Sequence, residues 1–248
     1  MLLTSIDELA AVVGTAHRDA TAAGQRRVLV GIAGPPGAGK PTVGAVLVER
    51  LGPSATLLPM DGFHLPQAEL VRLGRRDRMG APDTFDVHGF VATLEAVRAA
   101  GGRRDPGDPE RPADTTGSIG NSGVTVLAPG FDREIEEAGP DAIAITPEFS
   151  TVVVEGNYLL LDSAGEGTAR ESTALDSTGG WERVAPLLDV TVFVDVEHDV
   201  RVERLVARHI AFGKAPDDAR AWSLGPDEAN ARAIEASVAR ADHRLRLL

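Results

Sequence analysis

Residues Gly34–Thr42 read G-P-P-G-A-G-K-P-T, and Gly34, Gly39 and Lys40 keep the spacing G-x-x-x-x-G-K of a phosphate-binding loop. That spacing has a chemical meaning. Glycines let successive backbone N–H groups converge on one phosphate at a helix N-terminus, and the lysine sets a positive charge against the outer phosphates. The candidate nucleotide contacts are Gly34, Pro35, Pro36, Gly37, Ala38, Gly39, Lys40, Pro41 and Thr42. The loop follows the apolar run Val28–Ala33 and precedes a helical pattern over Val43–Leu51, the context in which this spacing carries weight. Its chemistry is binding of a nucleoside triphosphate.

The elements that must position this loop are legible from hydrophobic patterning. Val28–Ala33, Ala55–Pro59, Thr151–Val154 and Val190–Val194 are apolar on nearly every residue, as strands buried on both faces of a parallel sheet are. Helical periodicity lies between and after them, over Val43–Leu51, Val87–Ala100, Val200–Phe212 and Asp227–Ala241. Ser5 and Glu8 have the spacing of a capping box, which predicts an N-terminal helix to about Ala22. The alternation predicts an α/β fold: a doubly wound, mainly parallel sheet flanked by helices. Residues 1–248 are expected to form a single domain. Residues 101–123 and 162–180, rich in Gly, Asp, Ser and Thr, are expected to be flexible surface loops without chemistry.

Ligands of open α/β sheets collect beyond the carboxyl ends of the strands, so the residues that follow each apolar run are the next candidates. Asp61 follows the second run, Glu155 the third and Asp195 the fourth. Phosphoryl transfer to a hydroxyl needs a metal bridging the phosphates, a carboxylate near the acceptor proton, and cations around the moving group. Asp61 is the candidate base and Glu155 the candidate Mg2+ holder; each could instead cap the next turn. Arg201, Arg204 and Arg208 share one helical face. After the last core strand they suit a lid over phosphates, with a solvated face paired to Glu197 and Glu203 as the alternative; His209 and Lys214 follow close behind. The basic run Arg72–Arg78 suits an anionic acceptor or, equally, a solvated loop.

Composition bounds the remainder. The chain has 248 residues, a hydrophobic content of 43%, no cysteine and a formal net charge of −12. No apolar run is long enough to span a bilayer, the first residues lack the basic region of a signal peptide, and disulfides or thiolate chemistry are excluded. A cytoplasmic location and no membrane partner are expected. The negative charge argues against nucleic acid, whose affinity rests on phosphate neutralisation. No N-K-x-D guanine-reading motif occurs.

Several segments occur together in one order: P-M-D-G-F-H-L (59–65), G-A-P-D-T-F-D-V (80–87), A-P-G-F-D-R (128–133), V-E-G-N-Y-L-L-L-D (154–162) and R-L-V-A-R-H (204–209). Over about residues 25–245 they resemble the phosphoribulokinase/uridine kinase/pantothenate kinase group of P-loop kinases, nearest the bacterial nucleoside/nucleotide kinase, fructose-transport-system kinase-like branch. The resemblance implies ATP and Mg2+ as cofactors and a small-molecule hydroxyl acceptor, with the chain a monomer or homodimer. It places catalysis on Asp61, Lys40, Arg204 and Arg208, the metal on Glu155, and the acceptor near Asp61, His64, Asp83, Asp132, Arg133 and Tyr158. The departure is Pro41, where the group has Ser or Thr on the metal. Proline removes that hydroxyl and one N–H, and it biases Lys40 away from helical geometry. Thr42 lies roughly 100° further around the helix and does not replace it. Two readings follow: an active kinase of a nucleoside, sugar or related alcohol, and a catalytically impaired nucleotide-binding or regulatory protein.

Overall fold

The computed structural model describes residues 1–101, 123–132, 135–162 and 179–247. Nearly all of the two expected surface loops, and Arg133 with them, lie outside the described residues.

Six strands form one sheet in the order β1-β8-β7-β2-β6-β3, and every neighbouring pair is parallel. They are β1 (Leu2–Leu3), β2 (Val28–Ala33), β3 (Ala55–Pro59), β6 (Thr151–Gly156), β7 (Val190–Val194) and β8 (His243–Leu245). β4 (Val126–Asp132) and β5 (Glu137–Ile145) form a separate antiparallel hairpin. The helices are α1 (Ile6–Ala22), α2 (Lys40–Leu51), α3 (Gln67–Arg72), α4 (Val87–Gly101), α5 (His198–Ala211), α6 (Pro216–Leu224) and α7 (Pro226–Glu235). This is the doubly wound α/β architecture that the patterning predicts.

Its two faces can be read along β2, all six residues of which are buried. Val28, Val30 and Ile32 pack with Leu9 and Val13 of α1 and with Val43 and Leu47 of α2. Leu29 and Ala33 point the other way, against Phe90, Val91, Leu94 and Val97 of α4. β6 repeats the alternation, with Val153 on the first side and Val152 and Val154 on the second. A strand with helices on both faces must be apolar at every position, because the side-chain period of two leaves no face for water.

Two expectations about elements are corrected, and two elements are new. Ser5 caps α1 by accepting the Glu8 N–H at 3.2 Å, but the Glu8 carboxylate reaches back to the Thr4 N–H at 2.7 Å, not to that of Ser5, so the box is offset by one residue. The last helix ends at Glu235, not Ala241. The buried Ser237 hydroxyl donates to the Ile234 carbonyl at 2.6 Å, and a tight turn at Val238–Arg240 delivers the chain to β8. α6 and the β4–β5 hairpin were not foreseen.

Arg27, just before β2, is 4% exposed and ties the end of α4 to the segment before β6. Its guanidinium donates to the carbonyls of Val97 at 2.8 Å, Thr146 at 2.8 Å and Phe149 at 2.9 Å. Hydrogen bonds from a charged donor contribute more than neutral ones, and their loss strands buried carbonyls. Arg27→Met is expected to lower stability by about 2–4 kcal/mol, read as a fall in the urea midpoint at unchanged slope.

Candidate active site

The rim of the site is built from strand ends. β2 stops at Ala33 and the chain turns over its tip into α2. Gly37 makes this turn possible twice over. Its φ of 82° belongs to the left-handed region, and a Cβ there would lie 2.8 Å from the Arg201 carbonyl and 2.9 Å from Leu205 Cγ. The loop therefore lies directly on α5. Lys40 is 6% exposed, and its ammonium donates to the Pro35 carbonyl at 3.1 Å, folded over the loop it closes. Lys40 is also the first residue of α2, which corrects the expectation that Pro41 would draw it out of the helix. Pro41 occupies the first turn, where the N–H groups have no intrahelical partner in any case. Pro41 and Thr42 are exposed, and Pro41 borders the cleft without a hydroxyl to offer.

Asp61 lies in a single tight turn, Met60–Phe63, directly after β3. The next residue packs so closely on the hairpin that a Cβ at Gly62 would meet the Pro129 carbonyl at 2.2 Å, so β4 fixes the turn that carries Asp61. His64 Nδ1 donates to the Asp61 carbonyl at 2.9 Å. Its ring lies between those of Phe85 and Phe131, with centroids 3.9 and 4.9 Å away. Glu155, 3% exposed, is in register with Ile32 of β2 and Pro59 of β3. From above, Arg204 brings Nη1 within 3.6 Å of the position a Cβ would take on Gly39. Lys40, Asp61, Glu155, Arg204 and Arg208 border one cleft of about 320 Å³.

Other candidates lie elsewhere. Arg201 turns inward, 1% exposed, and pairs with Glu228 of α7. Glu197 pairs with Arg246 at 3.7 Å, and Asp195 with the same arginine at 2.7 Å. Asp83 is 5% exposed and holds Arg75 at 3.1 Å and Arg78 at 2.6 Å. Arg72 bonds Glu69, and Arg76, which also lines the cleft, bonds Glu136 at 2.9 Å, so each arginine of the basic run has a carboxylate partner, with Arg75 and Arg78 sharing Asp83. Asp132 is exposed at the end of β4. Tyr158 is fully buried against Phe85 and Trp181, and its hydroxyl donates to the Gly80 carbonyl. Burial pushes that hydroxyl well above its ordinary range, with Asp227, Asp83 and Asp61 adding to the effect, so it stays a neutral donor that shapes the wall.

The cleft also holds residues that sequence reasoning did not single out: Glu136, Trp222, Asp227 and Asn230. Asp227 and Asn230 sit on the first turns of α7, where an acid reads simply as a helix start. Asp227 accepts from His209 Nε2 at 2.7 Å, and Lys214 stands 4.7 Å from the Trp222 ring centroid.

A glycine loop closed by a lysine at the carboxyl rim of a parallel sheet defines the P-loop nucleotide-binding class. No protein-family model matches the chain. It is 30% identical over 198 residues to a putative uridine kinase of Schizosaccharomyces pombe, covering 76% of this chain and 69% of that protein. It is 33% identical over 166 residues to the ATP-dependent kinase-like protein notR' of Aspergillus versicolor, covering 65% and 77%. The crystal structure of a putative fructose transport system kinase from Silicibacter sp. TM1040 superposes with a TM-score of 0.69 at 33% identity, over 88% of this chain and 89% of that one. The chain belongs to the phosphoribulokinase/uridine kinase/pantothenate kinase group of P-loop kinases and is a small-molecule kinase. Among the described residues no helix is long and apolar enough to cross a membrane.

Gly37→Ala tests the contact between loop and lid helix. A Cβ at positive φ, pressed on a backbone carbonyl, is expected to cost about 1–3 kcal/mol and to weaken ATP binding by displacing α5. Calorimetric titration with ATP, beside thermal unfolding, reads both effects.

Proposed function

We propose that this chain transfers the terminal phosphoryl group of ATP to a hydroxyl of a small metabolite, with Mg2+ as the accompanying ion. The observation that supports this best is the convergence of Lys40, Asp61, Glu155, Arg204 and Arg208 on one cleft. Lys40 and the loop amides bind the outer phosphates, and Arg204 and Arg208 close over them from α5. Asp61, on the side of the hairpin and the His64 ring, takes the proton of the acceptor hydroxyl as its oxygen attacks phosphorus. The bond to the bridging oxygen breaks on the opposite side, and ADP leaves.

Mg2+ is held in sites of this kind by one or two carboxylates together with phosphates and water. Glu155 supplies a nearly buried carboxylate on the loop's flank. No cluster of three or more His, Asp or Glu ligands occurs among the described residues, which suits an ion arriving with the nucleotide better than a resident one. When bound, the ion would offset the negative charge of the phosphates.

Asp61→Asn keeps the shape of the side chain and removes the base. Turnover is expected to fall by about 10²-fold or more, with ATP affinity nearly intact. Turnover within threefold of the parent would move the base elsewhere.

One observation favours a second reading, a nucleotide-binding protein with impaired turnover: Pro41 borders the cleft in place of a hydroxyl. Pro41→Ser restores the hydroxyl and one N–H. A charge-assisted hydrogen bond is worth roughly 1.5–3 kcal/mol, so a gain of at least about tenfold in Mg2+-dependent activity or ATP affinity is expected. The measurement is ATP turnover across a Mg2+ titration for both proteins. Equal curves would mean that water or Thr42 already fills the role.

A further inference from the structure

The lid helix α5 has two partners. One is the glycine loop: the Arg201 carbonyl would lie 2.8 Å from a Cβ on Gly37, and Arg204 brings Nη1 within 3.6 Å of the same position on Gly39. The other is α7, two adjacent acids of which grip α5 near both of its ends. Glu228 takes the guanidinium of Arg201 and, at 3.4 Å, Nε2 of His198, the first residue of α5. Asp227 takes His209 Nε2 at 2.7 Å. Arg204 and Arg208 lie between these two grips along the helix. Neither Arg201 nor Glu228 is among the residues that border the cleft, so their pair touches no ligand held there. It is also poorly built for stability. Arg201 is 1% exposed, and its Nε and Nη1 are buried without a partner among the described residues. Such donors carry a desolvation cost that packed apolar side chains avoid, so packing alone gives no reason for the charges.

We propose that Arg201 and Glu228 are positioning residues for nucleotide binding: their pair seats α5 on α7 so that Arg204 and Arg208 face the outer phosphates. The role rests on the reading of those two arginines as the cations that close over the phosphates, and it adds what holds them there. Asp227 and His209 secure the other end of the same segment. Arg204 and Arg208 need not be altered for their charges to be lost to the nucleotide. A small displacement of the helix suffices, because a hydrogen bond weakens steeply as its angle departs from linear, and the bonds at stake are charge-assisted ones to phosphate.

Two variants separate position from stability. Arg201→Met/Glu228→Leu replaces both buried charges together by apolar side chains, a change that is often neutral for stability. Glu228→Gln keeps the shape of the acid and removes its charge. Each is titrated calorimetrically with a non-hydrolysable ATP analogue and Mg2+, once in the parent protein and once in Arg204→Ala/Arg208→Ala, beside thermal unfolding. The double replacement is expected to unfold near the parent's midpoint while binding the analogue about tenfold more weakly or worse, the scale of one charge-assisted hydrogen bond. In the Arg204→Ala/Arg208→Ala background the same replacement is expected to change affinity no further, since residues that act only through one another are not additive. Where either variant fails to fold, the other carries the same comparison. Unchanged affinity in the parent background, or an equal loss in both backgrounds, would overturn the proposal. Unchanged affinity in Arg204→Ala/Arg208→Ala itself would overturn the reading of the arginines, and the positioning role with it. The expected pattern without phosphate transfer to any acceptor would uphold the pair and overturn the kinase reading instead.

Discussion

The register of β2 against its neighbours is the constraint on which the site depends. Ile32 lies opposite Glu155, Ala33 opposite Gly156, and Pro59 of β3 opposite the same glutamate. Because all three strands run in parallel, their carboxyl ends emerge at one rim. The glycine loop, Asp61 and Glu155 meet there. A slip of one residue in β6 would send Glu155 to the opposite face of the sheet and an apolar neighbour into the cleft. Such a slip would also bury the charge among helix side chains, so the energetics of the core and the geometry of the site select the same register.

The second constraint is local charge. A chain with a net charge of −12 offers no general attraction to a polyphosphate, so the cations at the rim must be held individually. Lys40 is folded over the loop, and Arg204 and Arg208 are carried by a helix on which that loop rests. α5 is itself anchored through Arg201, whose buried guanidinium pairs with Glu228 of α7 while Nε and Nη1 have no partner among the described residues. A buried salt bridge is weak grounds for stability, but removing one partner leaves a costly unpaired charge. Here the pair ties α7 to α5, the helix that carries Arg204 and Arg208.

Much of the sheet was legible because burial on both faces leaves an unmistakable trace: V-L-V-G-I-A and T-V-V-V admit few other readings. β1 and β8 left none, since two or three residues at a sheet edge are too few to show a period. The β4–β5 hairpin was hidden by its own composition. Pro129, Gly130, Gly139 and Pro140 interrupt the alternation that marks a strand, and the hairpin tolerates them because it pairs outside the main sheet. The same contrast holds at the site. Asp61 and Glu155 could be found because a carboxylate ending a buried strand is out of place unless it faces a rim. Asn230 and Asp227 could not, since polar residues in the first turns of a helix need no ligand to explain them. Only the packing of α7 across the cleft brings them to the site.

The far edge of the sheet has a different implication. Leu2 pairs with Arg244 and Leu3 with Leu245, and the Met1 amino group donates to the Asp242 carbonyl at 3.0 Å. The first and last described strands are thus nearest neighbours, about 5 Å apart as any paired strands are. The order of segments along the chain is therefore separable from the order of strands across the sheet. Joining these strands by a short link and opening the backbone at an exposed turn would leave every pairing intact, the general circumstance in which circular permutation succeeds. What the rim requires is adjacency of these segments, whatever their order along the backbone.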